Sequence, residues 1–326
     1  MAAPLLDIKD LHVCFQVYGG ALKVLNSVNF TLWKGEKVGL VGETGCGKTT
    51  TVKSVMRILP IPPGKISQGE IYFKGKNLLD VNLSKVKGVP GEGISMIFQD
   101  PTAALNPVFT VGEQLIDVIK YSKDGGKSHS REEMRNQAIN ALKDLNMPDP
   151  ERILENYPIQ LSGGMRQRVC IAMALITARE LLIADEPGTS LDVTIQDQIL
   201  RLLRELVEEK NTSIILITHT LGVVREWTDR VYVMYAGSIV ENVKTPDLFS
   251  HPLHPYTRGL MAAVPKLTGE GIAEGIKGRI PDYLNPPPGC RFHPRCDRKL
   301  PICSRERPSL LKVDDNHEVA CFLYQR

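Results

Sequence analysis

One stretch constrains the fold of this chain more than any other. Gly42-Glu43-Thr44-Gly45-Cys46-Gly47-Lys48-Thr49 fits the pattern G-x-x-x-x-G-K-[ST] in full. Its glycines let backbone N–H groups converge on phosphate oxygens without side-chain clashes. Lys48 is placed to neutralise β/γ charge and Thr49 to hold Mg²⁺. Such a loop works only between a strand and a helix whose positive end faces the phosphates. Lys37–Val41 is a short apolar strand before it, and residues 49–59 carry helical spacing after it. Cys46 sits inside the loop as a small tolerated residue with no catalytic role.

The flanking sequence supplies the rest of an α/β architecture. Residues 5–33 read as strands around a turn at Tyr18-Gly19-Gly20, and Gly69–Phe73 and Ile94–Phe98 as further strands. Segments 112–122, 130–146 and 150–156 are predicted helices, forming a helical insert within about 100–165. From Ser162 the chain alternates: helix 164–177, strand Leu181–Ala184, then a long helix with Ile195, Ile199, Leu202, Leu203 and Leu206 on one face. Strand Ile214–Thr218, a helix at 221–226 and a hairpin at Val231–Val240 turning at Ala236-Gly237 follow. Apolar strands alternating with amphipathic helices predict a parallel sheet covered on both faces.

After about residue 245 the texture changes. Thr245-Pro246, His251-Pro252, His254-Pro255 and the proline run after Asn285 read as extended and turn-rich. The sequence therefore divides into 1–245 and an extension, 246–326, predicted to sit apart from the phosphate loop. At 326 residues and 42% apolar composition a real core is available. The longest apolar run, Val169–Ile176, is too short for a bilayer, and MAAPLLDIKD has no secretory pattern, so a soluble cytosolic protein is expected. Lys plus Arg number 40 against 37 Asp plus Glu; a net charge of +3 argues against a nucleic-acid partner.

Two further strings carry chemistry. Leu181–Glu186 is an apolar strand ending in two carboxylates, which alternation sends to opposite sides: Asp185 toward Mg²⁺ and Glu186 toward an attacking water. Leu161–Arg168 places Ser162 as a helix cap followed by Gly163 and Gly164, leaving a bare helix start and hence a second anion site. One nucleotide does not need two cradles from one subunit, so this site is expected to serve another subunit's nucleotide. Separately, four of the seven cysteines, Cys290, Cys296, Cys303 and Cys321, fall in the last 37 residues with spacing C-x₅-C-x₆-C-x₁₇-C. Four thiolates suit tetrahedral Zn²⁺ or a [4Fe–4S] cluster, and the spacing does not choose between them. Cys14 and Cys170 read as small core residues, His293 and His317 as surface groups or neighbours of the cluster.

Together these strings resemble the ATP-binding cassette family, over nearly the whole chain. Gly42–Thr49 looks like its Walker A motif, Leu161–Gln167 its signature, Leu181–Glu186 its Walker B, and Ser190-Leu191-Asp192 its D-loop. Gln99 matches the Q-loop and His219 the switch histidine. The resemblance implies a P-loop NTPase cassette with an antiparallel β subdomain, a helical subdomain insert and a small C-terminal cysteine-rich extension. It implies nucleotide contacts from Gly42 to Thr50, with Tyr18 stacking on adenine and Ser162, Gly163, Gly164, Gln167 and Asp192 acting across a dimer. Glu186 would activate water, His219 contact the γ-phosphate, and Gln99 sense γ-phosphate and Mg²⁺ beside Thr49 and Asp185.

The closer resemblance is to dipeptide/oligopeptide importer ATPases. It rests on Asp100–Pro107, Leu161–Val169, Thr218–Val224, His254–Leu260 and Pro287–Cys296, with Gly188 and Thr220 departing from the usual wording. It implies a paralogous ATPase subunit, two membrane permease subunits, docking near Gln99–Gly112, an extracytoplasmic solute-binding protein and a place on the cytoplasmic membrane face. It also favours [4Fe–4S] over Zn²⁺. Oligosaccharide or nickel uptake by the same ATPase role is the alternative. A nucleic-acid cassette fits less well: Lys48 and Ser162 lie 114 positions apart, leaving no room for a coiled-coil arm.

Overall fold

Long alternating strands open the chain. β1 (Leu6–Val17) and β2 (Gly20–Leu32) pair antiparallel through the tight turn at Tyr18-Gly19, where Gly19 takes a positive φ. The structure, a computed structural model, describes residues 3–80, 93–122, 130–177, 179–189, 191–263 and 275–325. β3 (Lys37–Val41) is buried beyond its first residue and leads through the Gly-rich loop into α1 (Lys48–Met56). That helix stops before residue 59 because Arg57 adopts the left-handed conformation and its N–H caps the last turn. β4 (Gly64–Phe73) starts earlier than residue 69, since its first half pairs with the outer half of β1, and β5 (Lys76–Asn77) follows.

The middle of the chain runs β6 (Ile94–Ile97), α2 (Pro101–Ala104), α3 (Val111–Lys120), α4 (Arg131–Asp144), α5 (Pro150–Glu155), α6 (Gly163–Leu175), β7 (Leu181–Asp185), α7 (Val193–Glu209) and β8 (Ser213–Ile217). Capping boxes start α3 (Thr110 with Glu113) and α4 (Ser130 with Glu133). β6 and β7 are parallel and wholly buried, as the apolar runs require. The separator 124–130 lies almost entirely outside the described residues.

The chain then forms α8 (Leu221–Trp227), β9 (Arg230–Tyr235), β10 (Ser238–Lys244), α9 (Thr245–Ser250), α10 (Pro255–Ala262), β11 (Leu311–Asp314) and β12 (His317–Val319). Two units result: 1–80 with 216–326, and 81–215. The first holds the antiparallel sheet β2-β1-β4-β5 and a second strand row, β11-β12-β10-β9-β3, in which β3 and β9 are parallel.

The tail departs from expectation. Segments read as extended at Thr245-Pro246 and His254-Pro255 are helices α9 and α10, with proline in the first turn, where its missing N–H costs nothing. Nor does the tail sit apart: β12 pairs antiparallel with β10, Glu241 opposite Val319. Tyr256 and Phe292 are buried against Tyr235, ring centroids 4.6 and 5.0 Å away, in a core shared with Val231 and Val233. Burial of each such side chain is worth about 1.5–3 kcal/mol. Among the described residues no helix is long and apolar enough to cross a membrane.

Candidate functional site

The Gly-rich loop has the shape its sequence demands. Gly42, Gly45 and Gly47 all have positive φ, and a Cβ on Gly42 would lie 2.2 Å from the Met234 carbonyl oxygen. Lys48 is buried, its Nζ donating to the carbonyls of Gly42 (2.7 Å) and Glu43 (3.1 Å). Thr44 and Gly45 are exposed at the mouth of the loop, Thr49 and Thr50 half-buried on the first turn of α1. Cys46 is fully buried and burial pushes its thiol pKa up, as befits a packing residue. Tyr18 is fully exposed on the β1–β2 turn, and His219 is exposed just past β8. These residues all belong to the first unit.

The second unit carries the carboxylates. Asp185 is buried at the last position of β7. Glu186 follows at φ 49, in the left-handed region. Strand alternation therefore does not orient Glu186, because the chain has already left the strand conformation there. Its Oε2 accepts a hydrogen bond from Gln99 Nε2 at 3.1 Å, so two residues 87 positions apart in sequence are brought together. Gly188 has φ +129, a conformation that explains glycine where the resembled motif usually carries threonine.

At the start of α6, Ser162 caps the helix through Oγ, which accepts the Met165 N–H at 3.3 Å. A Cβ on Gly163 or Gly164 would come within 3.2 Å of Leu191 or 3.0 Å of Ile195, so the glycines also allow close packing on the start of α7. Asp192 caps α7, its Oδ1 accepting the Ile195 N–H at 3.0 Å. Ser162 and Asp192 are exposed, whereas Gln167 is completely buried along α6. Ser190 lies outside the described residues.

The four tail cysteines line one small cavity together with His254, Phe292 and His293. Burial pushes Cys290 up to about 11 and also raises Cys296 and Cys321. Among the described residues no group of three or more His, Cys, Asp or Glu side chains is arranged to hold a metal ion. His317 is buried and bonds Glu241, so it is neither a surface group nor a lining residue of that cavity.

Sequence reasoning missed the tail's grip on the phosphate loop. Arg295 makes a bidentate pair with Glu43 (2.7 and 3.0 Å), Tyr256 Oη accepts the Glu43 N–H (2.9 Å), and Tyr283 Oη donates to the Gly45 carbonyl (2.8 Å). No local signal marks these long-range partners.

Residues 25–189 match the family described as ABC transporter, and residues 240–303 the one described as Oligopeptide/dipeptide transporter, C-terminal region. The dipeptide transport ATP-binding protein DppD of Bacillus subtilis is 46% identical over 98% of this chain and 94% of its own length. The oligopeptide transport ATP-binding protein OppD of the same organism is 45% identical over 98% and 88%. Among solved structures, the dimeric bacterial ABC transporter cassette MJ0796 matches with TM-score 0.65 and 26% identity, covering 74% of this chain and 98% of that one.

Proposed function

The chain belongs to the ATP-binding cassette family, as an ATP-binding subunit of dipeptide and oligopeptide importers, and from that premise we propose how its residues couple ATP hydrolysis to uptake. ATP is the substrate. Lys48 and the backbone N–H groups of Gly42–Thr50 bind its phosphates, and the exposed ring of Tyr18 stacks on adenine. Thr49, Asp185 and Gln99 offer the hard oxygen donors Mg²⁺ prefers. When bound, Mg²⁺ offsets the negative charge of the phosphates.

The observation that carries the catalytic assignment is the Gln99–Glu186 hydrogen bond at a left-handed turn. It holds the Glu186 carboxylate beside the Q-loop residue, fit to orient a water and take its proton. Gln99 links that carboxylate to the surface around Gln99–Gly112, which receives a membrane subunit. His219 contacts the γ-phosphate.

The capped, glycine-bare start of α6 serves a second cassette, with Ser162, Gly163, Gly164 and Asp192 at its surface. Gln167 is fully buried along α6, which does not suit that role. ATP therefore closes a dimer of cassettes, for which we favour a paralogous sister chain, beside two permease subunits and an extracytoplasmic solute-binding protein. The chain lies peripherally on the cytoplasmic face of the membrane. In domain terms 1–245 is the nucleotide-binding domain and 246–326 an extension built onto it. The convergence of Cys290, Cys296, Cys303 and Cys321 on one cavity supports a [4Fe–4S] cluster there, with Zn²⁺ as the alternative. When bound, the group would cross-link the segments that carry these cysteines.

Glu186→Gln tests the catalytic assignment. In the assembled complex, with the sister site disabled, phosphate release should fall by about 10²–10⁴-fold while ATP is retained. Hydrolysis at the wild-type rate would remove Glu186 from the mechanism.

A further inference from the structure

A phosphate loop binds through its N–H groups, so its carbonyls must be held elsewhere. Two carbonyls in this loop are held by segments distant in sequence. Tyr283 Oη donates to the Gly45 carbonyl at 2.8 Å, and the Gly237 N–H to the Cys46 carbonyl at 2.7 Å. A peptide unit is planar, with C=O and N–H pointing opposite ways, so fixing these carbonyls also fixes the N–H groups of Cys46 and Gly47. Tyr283 is anchored in turn, its carbonyl accepting the Lys23 N–H at 2.8 Å.

The loop also carries a charge that opposes its ligand. Glu43 lies next to Gly42, and an uncompensated carboxylate there would repel a polyphosphate. Arg295 meets it with both terminal nitrogens, and the arginine side chain is 6% exposed. Its Nε and one terminal nitrogen also donate to the carbonyls of Lys277 (2.8 Å) and Ile276 (3.2 Å), which fixes the guanidinium plane. Charge-assisted bidentate pairs of this kind are the strong ones. Three tail residues thus grip the loop: Arg295 through the Glu43 carboxylate, Tyr256 through its N–H and Tyr283 through the Gly45 carbonyl.

We propose that Arg295 and Tyr283 are positioning residues for ATP binding: the tail holds the phosphate loop in its nucleotide-accepting shape and cancels the Glu43 charge. The proposal rests on the ATPase reading and adds that the tail sets nucleotide affinity. Arg295 immediately precedes Cys296, so the four-thiol cavity and this clamp share one stretch of backbone.

The test measures nucleotide Kd and unliganded thermal midpoint on the full chain, with wild-type binding as the control for the ATPase reading. Arg295→Met should weaken binding about tenfold or more, by loss of a charge-assisted bond. Adding Glu43→Gln should restore affinity to within about threefold of wild type, because the stranded charge is then gone. Tyr283→Phe keeps the ring and should weaken binding by about three- to tenfold. Wild-type affinity in Arg295→Met overturns the proposal. So does a loss that Glu43→Gln does not rescue and that follows the thermal midpoint across all three variants. If the wild-type chain itself binds no nucleotide, the ATPase reading fails instead.

Discussion

The residues proposed to act on phosphate stand out one at a time, because their chemistry leaves few substitutes. Gly42 sits where any Cβ would strike a carbonyl, and Lys48 and Thr49 follow a fixed spacing. Glu186 was legible as a carboxylate beside Asp185, yet its left-handed backbone was not, since glutamate carries no preference for it. Glu241 was invisible as well. It is fully buried on β10 and accepts hydrogen bonds from His317 Nε2 (2.6 Å) and from the N–H groups of Leu253 and His254 (2.7 and 2.9 Å). Burial pushes its pKa up, but these bonds outweigh burial and hold it below the ordinary carboxylate value. The stability it contributes is therefore complete above its unfolded pKa of about 4.3 and lost as pH falls through the lower folded value. Glu241→Gln should cost about 3 kcal/mol at neutral pH and flatten the acid limb of the stability curve. Denaturant titrations from pH 7 down to 3 check this; an unchanged acid limb would show that Glu241 does not drive it.

At the scale of elements, the cassette strands and long helices announced themselves by period and punctuation, and β3, α8 and the β9–β10 hairpin lie where the pattern placed them. The tail did not. Proline was read as a breaker, although in α9 and α10 it occupies the first turn. β12 is only three residues long and gains its place by pairing with β10, a long-range event with no local trace. The cysteines stood out by clustering, but spacing alone could not reveal that all four would line one cavity. Anaerobic purification should yield about four iron and four sulfide per chain; stoichiometric zinc without sulfide would overturn the iron assignment. Cys303→Ser should expose residues 285–325 to protease. Because Arg295 lies within that segment, nucleotide affinity should fall with it. A tail that stays protease-resistant would remove the structural role proposed for a group held by these cysteines.

At the scale of the whole molecule, we propose that this chain is one of two cooperating cassettes. The chain carries a phosphate loop and a second helix start bare enough for an anion, and the proposal gives the second to another cassette's nucleotide. Its curated relatives, matched over almost their full length, are peptide transport ATP-binding proteins. Hydrolysis should therefore depend on assembly. The most direct measurement compares phosphate release by the isolated chain, kept monomeric and monitored by light scattering during the assay, with release after adding the sister ATPase and membrane subunits. The expected result is a low rate alone that rises sharply on assembly and collapses again when Glu186→Gln is combined with the equivalent change in the sister cassette. A strictly monomeric chain hydrolysing ATP at the rate of the complex would contradict the account.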